Sequence, residues 1–163
     1  MKKYFWILTV IIIILFDSCL KNSELEREKE AIKSVIEAEI KSSFYGDYKS
    51  WSELFTHGPN TCCFYSDQGT CYSWSGWEEI SLAATDFIKP ERTRGKIYEG
   101  YYDYSVRFCE ESALVTFKTK LIDIQLGDEY DCEITSTEMR FLEKQEDQWK
   151  ITHLLTAYSI DNE

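Results

Sequence analysis

Downstream of residue 24 the apolar positions recur first with a helical period and then with a strand period. Within 24–45, Leu25, Ile32, Val35, Ile36, Ile40 and Phe44 put one apolar stripe on a helix, with Glu and Lys around the remainder. Gly46 suits the end of that helix, and Asp47 can cap a second, short one on which Tyr48, Trp51, Leu54 and Phe55 share a face. Residues 56–60 break it. The stretches 62–65 and 71–74 flank Asp67-Gln68-Gly69, a turn between β-formers, and predict a hairpin. Ser75-Gly76-Trp77-Glu78 then has the form of a capping box opening a third helix, with Trp77, Ile80, Ala84, Phe87 and Ile88 as its buried face and Pro90 as its stop. The basic stretch 89–96 suits a solvated loop.

The last third predicts four strands, 96–109, 112–126, 130–143 and 149–160, separated by short polar turns. Alternation is clearest in the second, where Ala113, Val115, Phe117 and Leu121 face one way and Lys118 and Lys120 the other. Long strands joined by tight turns make a bent antiparallel meander. The order of elements therefore predicts an α+β fold, a cone-shaped roll in which three N-terminal helices pack on a strongly bent antiparallel sheet.

The N-terminus has a different character. Met1-Lys2-Lys3 precedes thirteen residues, 4–16, without a charge. A spanning helix needs about 20 apolar residues, so the segment suits the core of a secretory signal. Ser18-Cys19 follows, and a cysteine after a small residue at that distance resembles the bacterial lipoprotein signal, although Phe16 and Asp17 depart from its usual residues. The expected organisation is a signal over 1–18, lipidation of Cys19, a tether over 19–24 and one domain over 25–160, held extracytoplasmically at a membrane by its lipid.

Composition supports one folded domain. In 163 residues, 44% hydrophobic and 15% aromatic content excludes a disordered chain. Lys+Arg 18 against Asp+Glu 29 leaves a net charge of −11, which argues against nucleic acid as a partner. Beyond Cys19 lie Cys62, Cys63, Cys71, Cys109 and Cys132, an odd number with no C-x-x-C pair. Cys109 and Cys132 fall about ten residues apart along the meander, too far to bridge. Cys63–Cys71 is the one disulfide the hairpin offers; buried free thiols are the simpler reading.

Three stretches in this order, residues 44–51 (Phe-Tyr-Gly-Asp-Tyr-Lys-Ser-Trp), 75–80 (Ser-Gly-Trp-Glu-Glu-Ile) and 149–153 (Trp-Lys-Ile-Thr-His), resemble the nuclear transport factor 2-like superfamily, especially its SnoaL-like branch. The resemblance spans roughly 25–160. It implies a bent sheet wrapped around a long helix, with a pocket at the open end. The places that build such a pocket hold Trp51, Phe55, His57, Trp74, Trp77, Tyr104 and His153 here. An aromatic concavity suits an apolar or aromatic small molecule. Each residue also has a plainer use: His57 as a bond to the last carbonyls of its helix, His153 as a core or interface residue, and the tryptophans as core.

Members of the superfamily include isomerases, dehydratases, cyclases and domains that only bind or dimerise, so the fold leaves activity open. The stretch that would carry an isomerase's carboxylate base, 61–66, has no Asp or Glu. Glu138 and Asp103 are strand carboxylates able to pair with a histidine, but solvent-facing carboxylates are far commoner. Alternation along the strand separates Tyr102 and Tyr104 from Tyr101. No cofactor motif is present, and two histidines far apart argue for no metal site. Three readings follow: a lipid-anchored small-molecule-binding domain without a catalytic set, able to pair with a second copy through its outer sheet face; a cyclase, dehydratase or isomerase with His57 as proton shuttle; and a dimerisation or protein-interaction module whose cone is filled by its own side chains.

Overall fold

The computed structural model describes the backbone of residues 2–67, 69–93, 96–123 and 132–160, and within these the side chains of 23–67, 69–91, 96–122 and 133–159. The chain forms two compact units, Met1–Ser34 and Val35–Glu163. Helix α1, Lys2–Tyr45, begins well before the apolar stripe and takes in the segment expected as leader and tether. The Cys19 side chain lies outside the described residues. Among the described residues no helix is long and apolar enough to cross a membrane. The stripe holds at Ile32 and Ile36, both fully buried, whereas Leu25 is exposed.

The second unit carries the last turns of α1, then α2 (Tyr48–Ser52), strands β1 (Cys62–Asp67) and β2 (Thr70–Ser75), and helix α3 (Trp77–Phe87). A 3₁₀ turn, Pro90–Thr93, occupies part of the expected basic loop and leads into β3 (Lys96–Cys109), β4 (Ser112–Asp123), β5 (Cys132–Gln145) and β6 (Gln148–Ile160). Gly46 ends α1 at φ +75, and a Cβ there would lie 2.4 Å from the Pro90 ring, so only glycine suits both the turn and the contact. The Asp47 carboxylate caps α2 by accepting from the Ser50 N–H at 3.0 Å.

The capping box is displaced. Gly76, not Ser75, is the N-cap of α3 and has no side chain to cap with, while Glu79 reaches back to accept from the Ser75 N–H at 3.2 Å. On α3, Ile80 and Ala84 are buried, as is Ile88 just beyond its end, but Phe87 is exposed.

The six strands form one sheet in the order β2-β1-β6-β5-β4-β3. It is mixed, not wholly antiparallel: after the β3–β6 meander, β6 returns beside β1 and runs parallel to it. The expected turn at 127–129 lies outside the described residues.

Bulges set which side chains face inward. One extra residue in β3 between Tyr102 and Ser105, with Asp103 at φ +55, restores Tyr104 to the face of Tyr101. Both rings then touch Phe117, at 6.0 and 6.5 Å between centroids, so simple alternation fails there. A second slip leaves Thr152 of β6 unpaired between Ile151 and His153. Trp149 and Ile151 therefore face the core, while His153 beyond the bulge points outward and is exposed. On that outer face Phe64 and Met139 are also exposed; it is the face reserved above for a second copy.

The disulfide expectation is corrected. Cys63 pairs with Trp74 and Cys71 with Ser66. The two cysteines are thus offset by three positions, about 10 Å, and on opposite faces of the hairpin. Both are free thiols, and burial pushes the Cys63 thiol up to about 12.

Candidate functional site

Rows of cross-strand neighbours on the inner face change character along the sheet. Ala113, Leu142 and Ile151 form one row, each with no exposed surface. The next is Val115, Arg140, Leu154 and Cys63, and the one after it Phe117, Glu138, Thr156 and Tyr65. Thr119, Ser136 and Tyr158 follow. Three residues past Ile36 on α1, where the stripe calls for another apolar residue, stands Glu39, only 3% exposed.

These positions build a closed ionic trio. The Arg140 Nε donates to Glu39 Oε2 at 3.1 Å, and its Nη2 lies 3.1 Å from the same oxygen. Its Nη1 donates to Glu138 Oε2 at 2.9 Å and to the carbonyls of Met139 and Leu155, both at 3.1 Å. The guanidinium carbon sits 5.4 Å from the Phe117 ring centroid. Glu138 also accepts from the Thr156 hydroxyl at 2.6 Å and from Ser136, whose hydroxyl is in turn bonded to Thr119. Among the described residues Glu39 Oε1 has only the Trp51 indole N–H, at 3.4 Å.

The electrostatics follow from burial. Desolvation, reinforced by Glu138 and only partly opposed by Arg140, holds the Glu39 carboxyl above its ordinary value of 4.5. Burial works against the Arg140 charge too, but the two carboxyls outweigh it and keep the guanidinium above its usual range.

The trio lines a cavity of about 650 Å³ bounded also by Thr119, Trp51, Cys63, Tyr65, Trp74, Phe87, Tyr98 and Tyr158. The Tyr98 hydroxyl is buried without a hydrogen-bond partner among the described residues, and burial lifts it to about 12. Burial likewise raises the Tyr158 hydroxyl well above 10.0. A second hollow, of about 730 Å³, shares Ile40, Phe44, Lys96 and Tyr98 with the first, and there Tyr101 donates to Glu37 at 2.7 Å.

The expected site residues divide. Trp51 and Trp74 line the charged cavity. Phe55 is core, 4.2 Å from Trp51 and 5.9 Å from Trp77 between ring centroids. His57 is exposed: its Nε2 is bonded at 2.8 Å to the Ser52 carbonyl and its ring is stacked 4.0 Å from that of Trp77. It is outside the cavity, in the helix-end role named above as its plainer use. Tyr104 packs against Tyr101 and Phe117 outside the cavity lining. His153 stands edge-on to Phe141 on the outer face. Asp103 pairs with Lys118 at 3.0 Å on the surface, far from any histidine partnership. Glu138 does belong to the site, but its partner is Arg140.

Sequence reasoning passed over Glu39 and Arg140. Their signal was a charge in core phase: Glu39 three and seven residues beyond Ile36 and Ile32, Arg140 two residues before buried Leu142.

No family model matches the chain, and no curated protein matches its sequence. Solved structures match its fold. A putative dehydratase of the nuclear transport factor 2-like family from Streptomyces avermitilis is 14% identical with a TM-score of 0.64, over 82% of this chain and 97% of that one. A nuclear transport factor 2-like protein with a cystatin-like fold from Novosphingobium aromaticivorans is 15% identical with a TM-score of 0.64, over 86% of each chain. The CaMKII hub of S. rosetta is 17% identical with a TM-score of 0.63, over 80% of this chain and 95% of that one. At such identities the likeness establishes the nuclear transport factor 2-like fold and leaves activity to the site.

Proposed function

We propose that this protein is a small-molecule-binding domain held at the extracytoplasmic face of a membrane by lipid on Cys19. The observation that carries the binding reading is the cavity of about 650 Å³, with aromatic walls and a hydrogen-bonded ionic trio on its inner surface. That volume suits a compact organic ligand, and apolar walls with few polar groups are the usual composition of such sites. The anchor rests on the Met1–Cys19 pattern alone. The enzyme reading through His57 loses its proton shuttle, because that side chain is bonded to Ser52 outside the cavity.

Full-length protein in a non-ionic detergent, screened against compact aromatic and alicyclic molecules, is expected to show saturable rises in melting temperature. Trp74→Ala should weaken them at least several-fold. A panel in which nothing raises the melting temperature removes the binding reading. The anchor is tested separately: Cys19→Ser should move the protein from the membrane fraction to the soluble fraction. Unchanged fractionation would reject lipidation.

A further inference from the structure

We infer that the ligand of this cavity is an organic cation, an ammonium carried on a compact apolar body, held by the aromatic walls and by the Glu39 and Glu138 carboxylates. The inference rests on the binding reading above and adds the charge of what is bound.

The first argument is charge balance. Three carboxyls, Glu39, Asp67 and Glu138, face two basic side chains, Lys96 and Arg140, around the cavity. With all ionised the lining carries one uncompensated negative charge. In the buried trio the same imbalance holds, two carboxyls to one guanidinium, with all three residues at most 4% exposed. A buried charge without a partner is costly, so the site favours whatever brings a positive one. In the ligand-free protein burial and the neighbouring Glu138 raise the affinity of Glu39 for a proton. A bound ammonium would serve in its place.

The second argument is the state of Arg140. An anionic ligand needs a guanidinium edge to grip. Here Nε and Nη2 are directed at Glu39, Nη1 is shared among Glu138 and two carbonyls, and one face lies toward Phe117. One Nη2 N–H has no acceptor among the described residues, but a two-pronged grip on the guanidinium would have to displace a carboxylate. The acceptor capacity is by contrast open: among the described residues Glu39 Oε1 holds only a 3.4 Å indole contact, and the buried Tyr98 oxygen has no partner.

The third argument is the wall. Tyr65 and Tyr158 lie 5.2 Å apart between ring centroids, Phe87 is 6.1 Å from Tyr65, and Trp74 is 5.6 Å from Phe87. These rings line the cavity together, and an aromatic face that meets a cation attracts it through its quadrupole. The net charge of −11 draws cations toward the protein as a whole.

The test compares probes of different charge on the full-length protein: choline against its neutral isostere 3,3-dimethylbutan-1-ol, and the aryl cation benzyltrimethylammonium against the aryl anion phenylacetate. Calorimetry is expected to show each cation binding at least tenfold more tightly than its counterpart. Glu138→Gln should bring choline and its isostere to within about threefold, and retained binding of the isostere shows that this variant is folded. Should Glu138→Gln unfold, Tyr158→Leu, which removes a wall and no charge, is expected to weaken the cations more than the isostere. Equal binding of choline and its isostere, or tighter binding of phenylacetate, overturns the cation inference and leaves the binding reading standing. No binding by any of the four also overturns the cation inference, and the binding reading then stands or falls on the melting-temperature panel above.

Discussion

Leu142 and Arg140 lie two residues apart on the same face of β5, both almost completely buried, and they belong to different kinds of interior. Around Leu142 the cross-strand neighbours are the apolar Ala113 and Ile151, and buried Phe55 bridges to Ile151. Around Arg140 they are Val115 and Leu154 across the sheet and Glu39 and Glu138 at its tip, facing a cavity. Close packing of the first kind stabilises a fold directly, through area removed from water and dispersion contacts. Burial of the second kind does not: desolvating three charges costs about as much as their attraction returns, and apolar replacements of the same volume are often better for stability. An interior that keeps a charged trio beside unfilled space therefore suits the proposed binding role better than it serves stability.

The largest expected effect tests that distinction. Arg140→Ala leaves Glu39 and Glu138 buried with no counterion and should cost about 3–5 kcal/mol in chemical denaturation. Leu142→Ala should cost a comparable or smaller amount, about 2–5 kcal/mol, through the cavity it creates, while leaving ligand affinity within about twofold. The decisive variant replaces the whole trio, Glu39→Leu, Glu138→Leu and Arg140→Met. It is expected to recover stability close to that of the unmodified protein and to lose cation binding. A triple variant as unstable as Arg140→Ala would mean that the trio is a structural requirement of the fold, and the contrast between the two interiors would collapse.

The same contrast explains what the sequence made legible. The apolar interior is written in periodicity: Ala113, Val115 and Phe117 alternate as expected and are buried, and β3 begins and ends at the predicted residues. The polar interior reads, by the same rule, as surface. Glu39 looks like one more solvated glutamate on α1, and Ser136, Glu138 and Arg140 look like the outward half of a strand. Only their phase relative to Ile36 and Leu142 says otherwise. The bulges at 102–105 and at Thr152 add a second difficulty, since one inserted residue reverses the face of everything beyond it. That is why alternation put Tyr104 on the face opposite Tyr101, and why it left the inward side of His153's strand unread. Bulges depend on how neighbouring strands pair, which a single strand's pattern does not encode.

A subtler effect separates the two interiors by pH. The Leu142 row has nothing to titrate, whereas Glu39 binds a proton more readily folded than unfolded. Between 4.5 and its folded value, the folded state holds more protons than the unfolded state, so its stability falls as pH rises. The stabilising contribution is complete below 4.5 and lost as pH climbs through the folded value. The other groups bearing on Glu39 are Arg140 and Glu138 from β5, Cys63 from β1, Tyr98 from β3 and Tyr158 from β6. Cys63, Tyr98 and Tyr158 are all lifted by burial and stay neutral throughout that range. Subtracting the melting curve of Glu39→Gln from that of the unmodified protein at each pH isolates the carboxyl. The difference should favour the unmodified protein most at the acid end and decline steadily upward. An organic cation should reverse part of the decline, because it replaces the departing proton and binds more tightly as Glu39 ionises. If the difference stays flat with pH, Glu39 is ionised throughout, and the trio's missing positive charge must already be supplied within the fold.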